Sequence, residues 1–566
     1  MQEKQFQSII AYMFGPIFTR ELVVSPERTK IYVARSIYAA LFLAISATAW
    51  LLITGSQQIR DVGDFARFGI RLFSILAPLS LTLSMFQSAL LSASSVSQEK
   101  DRKTLDLLLL TNLSSYELTV GKLASSMLHA FILPFATLPV LMSCTVFGGV
   151  DAQQTLRVFG VTLASSIVSG AIGSAIAFRC EKTFLTISLT LLTLTAWLIA
   201  GETAPYWTSV PACNVSPYSA VLAAAEPIQT QPQTNFYLFC ALTTILIYTP
   251  VILRVRIWNP PRIVKAPVVE STADNPVNIH AENLISRPVW DNPILWREVR
   301  TAAYGRRLFL YRLGYLIMAG LCLYAVLSQS QTASDCFFYI APLALLSLVL
   351  INAQSVTAIS TERDGKALDL LLSSDLLPSE FVWGKLLGAF WNSKEMVLVP
   401  PILVGVVWFF KSIPGEYALY LIIGYLILTL FSATLGLHCG MIYANSRQSI
   451  GVSLGVVFFL FVGVAVCLRM MLTFSGSFQA QFQPFLALIV GGGAGLYTAL
   501  GIRNPSSAIA LASFGCPCAT FYALVALMMN YSLGVFFVVC VAYGFAVAAM
   551  LVPAIYEFDI VSSKAD

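Results

Sequence analysis

Gln98 to Leu123 reads QEKDRKTLDLLLLTNLSSYELTVGKL, and Thr361 to Leu386 reads TERDGKALDLLLSSDLLPSEFVWGKL. The two stretches align without a gap, each position of the first answering the position 263 residues later. Glu99, Asp101, Lys103, Leu105, Asp106, Leu107, Leu108, Leu109, Leu113, Glu117, Gly121, Lys122 and Leu123 recur as the same residue. Long apolar segments flank each copy. A charged motif kept between apolar runs in both halves points to a duplicated membrane unit that presents a docking surface to something soluble.

The composition agrees with a membrane reading. The chain of 566 residues is 57% hydrophobic and 11% charged, with a mean hydropathy of +0.76. A soluble globular chain carries about 25% charged residues. A helix needs about 20 apolar residues to cross a bilayer core, and backbone polar groups in lipid must be satisfied internally. The runs are therefore expected as helices, in an all-α polytopic fold. The net charge of +5 is spread along the loops and reads as membrane orientation, not nucleic-acid binding.

Six spans are expected in the first half: Ala34–Thr54, Ile70–Ala93, Leu118–Phe147, Leu156–Phe178, Phe184–Ala200 and Phe236–Leu253. The second half offers Leu313–Leu327, Phe337–Ala358, Trp383–Phe410, Tyr417–Tyr443, Ile450–Met471 and Gly534–Val552. The halves, 1–254 and 292–566, are joined by a linker over 255–291, rich in Pro, Asn and charge. Lys and Arg crowd the N-terminal segment, both motif loops and this linker, whereas Thr203 to Asn235 has none. Positive charge marks the cytoplasmic side. The expectation is a multi-pass protein of the cytoplasmic (inner) membrane with both termini inside. Arg60, Arg67 and Arg71 run against that bias. The first residues lack a signal-peptide pattern and read as a surface helix, with Phe6, Ile9, Ile10, Met13 and Ile17 towards lipid.

Within the motif, Ser114 and Glu117 have the spacing of a capping box. In the second copy Pro378 suits a first helical turn and Glu380 takes the matching acidic place. Each copy should thus form a short helix, a tight turn and the start of the third span. The repeat also extends outwards. Arg20-Glu21 matches Arg297-Glu298, and at that same spacing Arg35 matches Arg312 and Tyr38 matches Tyr315. Ser216-Pro217 resembles Asn504-Pro505, both expected on the outer face before the last span of their half. The Gly-rich stretch Phe485–Leu500 reads as a re-entrant hairpin from outside, with a full thirteenth span as the alternative.

These residues resemble type-2 ABC exporter permeases. The shared pattern is E-[KR]-D-x-K-x-L-D-L-L-L, a polar turn, then E-x-x-x-G-K-L, between the second and third of six spans. The resemblance implies elbow helices at Arg20-Glu21 and Arg297-Glu298, and external elements at Pro217 and Pro505. It also implies separate ATPase subunits, two by symmetry, docked on loops organised by Glu99, Asp101, Lys103, Asp106 and Glu117. The second loop would use Glu362, Asp364, Lys366, Asp369 and Glu380. Members of that family usually carry one six-span unit per chain. Two units here imply a pseudo-dimer in one polypeptide.

No G-x-x-x-x-G-K-[ST] occurs, since Gly121-Lys122 and Gly384-Lys385 both precede leucine. Nucleotide chemistry is expected in trans, with no cofactor in this chain. Cys516 and Cys518 form a lone C-x-C, too little for a zinc framework, and no metal site is expected. A major-facilitator-like carrier is the main rival, because Asp364 to Lys366 has that loop's superficial look and Lys394, Glu395 and His129 lie in or near spans. A subunit that couples to an ATPase without moving substrate is another. No constellation for an embedded enzyme is visible among His129, His280 and His438. The apolar, aromatic spans suit a lipid-like, peptide or drug-like cargo, and equally simple packing against lipid.

Overall fold

The computed structural model describes residues 15–24, 29–56, 62–207, 209–227, 233–260, 290–300, 308–328, 333–372, 376–411, 413–473, 478–502, 505–529 and 531–556. All regular structure among them is helical. The first half comprises α1 (15–24), α2 (Thr29–Ser56), α3 (Val62–Asp101), α4 (Thr104–Leu110), α5 (Ser115–Ala130), α6 (Ile132–Val146), α7 (Ala152–Arg179), α8 (Thr183–Trp207), α9 (Pro217–Ala225) and α10 (Thr234–Trp258). The second comprises α11 (Pro293–Arg300), α12 (Leu308–Ser328), α13 (Ala333–Asp364), α14 (Ala367–Leu372), α15 (Pro378–Asn392), α16 (Lys394–Lys411), α17 (Gly415–Ile442), α18 (Ser446–Phe458), α19 (Val464–Thr473), α20 (Phe478–Leu500), α21 (Ser507–Met528) and α22 (Ser532–Tyr556). A π-helical turn, Phe459–Gly463, joins α18 to α19.

The protein is an all-α polytopic membrane protein. Eleven described helices are long and apolar enough to cross a bilayer, or twelve when the bent pair α15–α16 counts as one. That pair turns by 59° at the break around Ser393. Each of the twelve expected spans falls on helical chain to within a residue at its ends, Leu118–Phe147 over α5–α6, Trp383–Phe410 over α15–α16 and Ile450–Met471 over α18–α19; α2, which carries the first, is not among the helices just counted, whereas α21 is.

The 263-residue spacing extends well past the loop. Helix α7 occupies Ala152–Arg179 and α17 occupies Gly415–Ile442, the same interval displaced by that spacing. Both pack against the second span of their half at a repeated close approach. A Cβ on Gly173 would sit 2.5 Å from the carbonyl oxygen of Ala89, and one on Gly436 would sit 2.7 Å from that of Asn352. Small residues let helix backbones approach where apolar burial gives no driving force between spans. Hydroxyls complete the seam: Ser88 Oγ donates to the Ser166 carbonyl at 2.6 Å, and Ser432 Oγ to that of Leu348 at 2.7 Å.

The halves exchange core. Phe184, Leu185, Ile187, Leu191 and Leu192 of α8 belong to the core of the second half, while Met470 of α19 belongs to that of the first.

Two elements depart from the expected pattern. Pro217 opens the nine-residue α9 at the end away from the motif, where Ser216 Oγ accepts from the Ser219 N–H. Pro505 instead lies at the motif end. Just before it, the Leu500 carbonyl faces His438 Nε2 at 3.1 Å and the Ala499 carbonyl accepts from Tyr443 Oη at 2.7 Å. Tyr443 itself is held by Arg363 of the motif. Pro505 therefore cannot share an outer gate with Pro217. The Gly-rich stretch is part of a continuous 23-residue helix, α20, that reaches the motif end, and the 22-residue α21 returns. The second half thus holds a helical hairpin that the first half replaces with the short α9.

Linker residues 261–289 lie outside the described residues, as do Phe6, Ile9, Ile10 and Met13 of the expected surface helix. Ile17 packs against the cluster of Val96, Leu105, Leu109 and Leu118, so it faces protein, not lipid. Arg67 pairs with Asp64 at 3.8 Å, and Arg71 donates to the Thr473 carbonyl at 3.5 Å. These contacts give two of the contrary arginines a structural use; Arg60 lies outside the described residues.

Candidate functional site

Each motif copy ends its long helix with a residue in the left-handed region. Lys103 has φ 58° and Lys366 has φ 56°, the only non-glycine residues with positive φ among those described. That conformation costs an L-residue roughly 1–2 kcal/mol. It turns the chain sharply so that α4 and α14 fold back under the spans. The cation three residues before each left-handed lysine anchors the turn. Lys100 Nζ donates to the Phe178 and Cys180 carbonyls at 2.7 and 2.9 Å. Its counterpart Arg363 donates to the Gly440, Met441 and Tyr443 carbonyls. A cation at a helix C-terminus satisfies orphan carbonyls and suits the dipole.

The carboxylates are engaged from within. Asp101 accepts from Thr183 Oγ1, and Asp364 accepts from Ser446 Oγ. Thr183 and Ser446 open α8 and α18 at related positions. Glu99 pairs with Lys122, and Glu362 pairs with both Lys385 and Arg297. Ser114 and Glu117 form the expected capping box: Glu117 N–H donates to Ser114 Oγ at 3.2 Å, and Ser114 N–H to Glu117 Oε2 at 2.8 Å. In the second copy Pro378 takes the first turn and Glu380 Oε2 accepts from Leu377 N–H at 3.2 Å. Leucine has no oxygen to answer, so that box is half made. Asp106 stands in the first turn of α4, partly buried. Lys366 is exposed, and the side chain of Asp369 lies outside the described residues.

The elbow elements seat on these loops. Glu298 of α11 is buried and accepts from Lys385 Nζ at 2.8 Å; Asn292 Nδ2 donates to the Glu380 carbonyl at 2.8 Å. In the first half Glu21 lies 3.6 Å from His129, Gly15 abuts Glu117, and Arg20 is exposed. Lys394 and Glu395 sit at the break before α16. Lys394 Nζ lies 5.1 Å over the Trp391 ring, and Glu395 is 3.4 Å from Arg312.

The two loops meet. Arg102 Nη2 lies 3.3 Å from Asp364 Oδ1, an ion pair that joins the halves. Asp101 and Asp364 also stand close enough to repel each other. Position 365, the counterpart of Arg102, is glycine, so the pair has no symmetric mate.

Beside exposed polar residues such as Arg102, Lys103 and Lys366, the loops present apolar side chains outward. Leu107, Leu110 and Tyr116 are 65%, 66% and 47% exposed on the first loop, and Leu377 is 61% exposed on the second. Arg256, from the end of α10, holds this surface by donating to the Leu109 and Leu113 carbonyls. The acids were expected to dock a partner or to organise the loops; Glu99, Asp101, Glu117, Glu362, Asp364 and Glu380 bond to groups of the protein itself, with Leu107, Leu110, Tyr116 and Leu377 exposed beside them. Lys100, Arg363, Thr183 and Ser446 were missed. Their signal was present, because the cations and the hydroxyls each recur at the 263-residue spacing. Comparison with protein-family models, with curated proteins and with solved structures returned no match.

Proposed function

We propose that this chain is the membrane permease of an ATP-driven exporter of the type-2 ABC kind, with both halves of the translocation unit in one polypeptide and the ATPase in separate subunits. The observation that carries this reading is the pair of loops. They repeat in sequence, in the left-handed lysine, and in the hydrogen bonds that clamp each loop to the span ends of its half. A loop that only connected spans would have no need of such duplicated construction. Ion pairs, buried in the second half and partly exposed in the first, tie each loop to an elbow or a span, so a push on the exposed leucines moves rigid helices instead of a flexible turn. The motif end is the cytoplasmic one in this reading, following the distribution of Lys and Arg.

The test is association. Tagged full-length chain, purified from membranes of its own cells, should bring with it an ATP-binding-cassette subunit and vanadate-sensitive ATP hydrolysis. Leu107→Glu with Leu110→Glu should abolish both while the protein stays monodisperse. Hydrolysis and association that survive this double change, or a chain that never carries an ATPase, would refute the proposal.

A further inference from the structure

Apart from the loops, a further feature is a cavity of about 470 Å³ between α2 and α3 of the first half and α18–α19 of the second. That volume falls in the roughly 300–1,000 Å³ range of small-molecule sites. Its walls are almost wholly apolar, including Leu83, Phe86, Phe458, Phe459 and Val466. It is elongated: along α3 the lining runs from Leu79 to Ser94, roughly 22 Å at 1.5 Å per residue. Arg447, beside Ser446 at the start of α18, stands among the lining residues at the motif end. The π-helical turn Phe459–Gly463 forms part of the wall. Such turns are frequent at functional sites.

The internal repeat supplies a related junction against which the cavity can be compared. The related junction, α8 against α12 and α13, is filled. There Phe184 meets Tyr311 edge to face at 5.4 Å, and Leu192 packs so closely on Gly314 that a Cβ there would lie 2.5 Å from it. At the positions related to Phe184, Ser188 and Leu192 the second half has Arg447, Gly451 and Gly455. At the position related to Tyr311 the first half has Ala34. Two glycines and an arginine thus replace the side chains that plug the other junction. A Cβ on Gly451 or Gly455 would meet nothing within 4 Å.

We infer that this groove is a one-sided binding site for an anionic amphiphile, with a single apolar chain lying along α3 and the charged head at Arg447. The length and narrowness fit a chain better than a compact solute. An apolar wall in the hydrocarbon zone takes an alkyl chain at no polar cost, and a guanidinium at its end favours a carboxylate or phosphate oxygen. As cargo site, this inference rests on the permease reading; as binding site, it does not.

The experiment is photolabelling of the purified full-length chain, without ATPase or nucleotide, by a diazirine-bearing fatty acid and by the matching fatty alcohol. Labelled peptides should map to 79–94 and 447–470. Gly455→Leu, which installs the residue of the filled junction, and Gly451→Leu should each abolish that label. Gly320→Leu, at a glycine of α12 where a Cβ also meets nothing, should leave it intact. Arg447→Gln should weaken labelling by the acid and spare that by the alcohol. Gel filtration and thermal unfolding identify any variant that misfolds, in which case Gly455→Val replaces the leucine. Labelling that persists in folded Gly455→Leu, or that falls equally on α8 and α12, overturns the groove. An equal response of both probes to Arg447→Gln overturns the head-group assignment. Label here combined with no ATPase in the co-purification test would sink the permease reading alone; a co-purifying ATPase combined with no label here would sink the site alone.

Discussion

Lys385 carries the highest cost of any residue in the loops. Its side chain is fully buried, with Nζ 2.8 Å from Glu298 and 2.6 Å from Glu362, and Arg297 pairs with the same Glu362. Two cations and two carboxylates therefore balance, with Lys385 and Glu298 buried, Glu362 partly buried and Arg297 reaching solvent. Removing one member of a buried pair costs about 3–5 kcal/mol, because the partners keep their desolvation penalty. Its counterpart Lys122 pairs with Glu99 while both side chains touch solvent, where such pairs are worth up to about 1 kcal/mol. Lys385→Met should thus lower the thermal unfolding temperature far more than Lys122→Met, in the same detergent and at the same pH. Equal shifts would mean that the buried cluster is not a structural anchor. The residues of this cluster were visible in the repeat, but their pairing was not. Glu298 and Lys385 stand 87 residues apart, and only the return of α11 onto α15 brings them together.

At the scale of elements, helix existence was legible and helix ends were partly so. Apolar runs gave the spans, and the Ser114–Glu117 spacing gave the start of α5, because both signals are local. Helix α21 was missed although its apolar run is long. Ala, Ser, Gly, Cys and Pro517 make it look like a linker, and the likeness of Asn504-Pro505 to Ser216-Pro217 invited a symmetric reading that the fold does not keep. The left-handed lysines were illegible, since a lysine gives no warning of positive φ. The repeated seam between the second and fourth spans of each half offers the sharpest test at this level. Gly436→Ala would place a methyl 2.7 Å from the Asn352 carbonyl oxygen. Backbone cannot move aside cheaply, so overpacking of about 1–3 kcal/mol is expected. Gly424→Ala, on the same helix where a Cβ meets nothing within 4 Å, should be neutral or slightly stabilising through helix propensity. Thermal unfolding of the two variants side by side decides it: a Gly436→Ala protein as stable as the Gly424→Ala protein would remove the close approach as a stabilising feature.

At the scale of the whole molecule the protein is a near-symmetric pair of halves with two breaks in symmetry. One is the cavity beside α18–α19; the other is the hairpin α20–α21. The second decides topology, and it bears on which face any gate can use. A re-entrant reading of Phe485–Leu500 puts Pro505 on the same side as Pro217. The contacts of Leu500 and Ala499 with His438 and Tyr443 put it on the side of the motif loops instead. The hairpin leaves and returns, so α22 still ends on the motif side, and a test of the C-terminus alone would not separate the two arrangements. Ile502 separates them, being 62% exposed in the turn after α20, while Tyr218 is 37% exposed at the start of α9. In a cysteine-free background, Ile502→Cys should react with a membrane-impermeant maleimide only after the cells are permeabilised, as Leu107→Cys should. Tyr218→Cys should react in intact cells. If position 502 labels from outside together with position 218, α20 does not reach the motif end and the hairpin is wrong. If 107 and 502 both label from outside and 218 only from inside, the hairpin stands and the charge-based orientation falls.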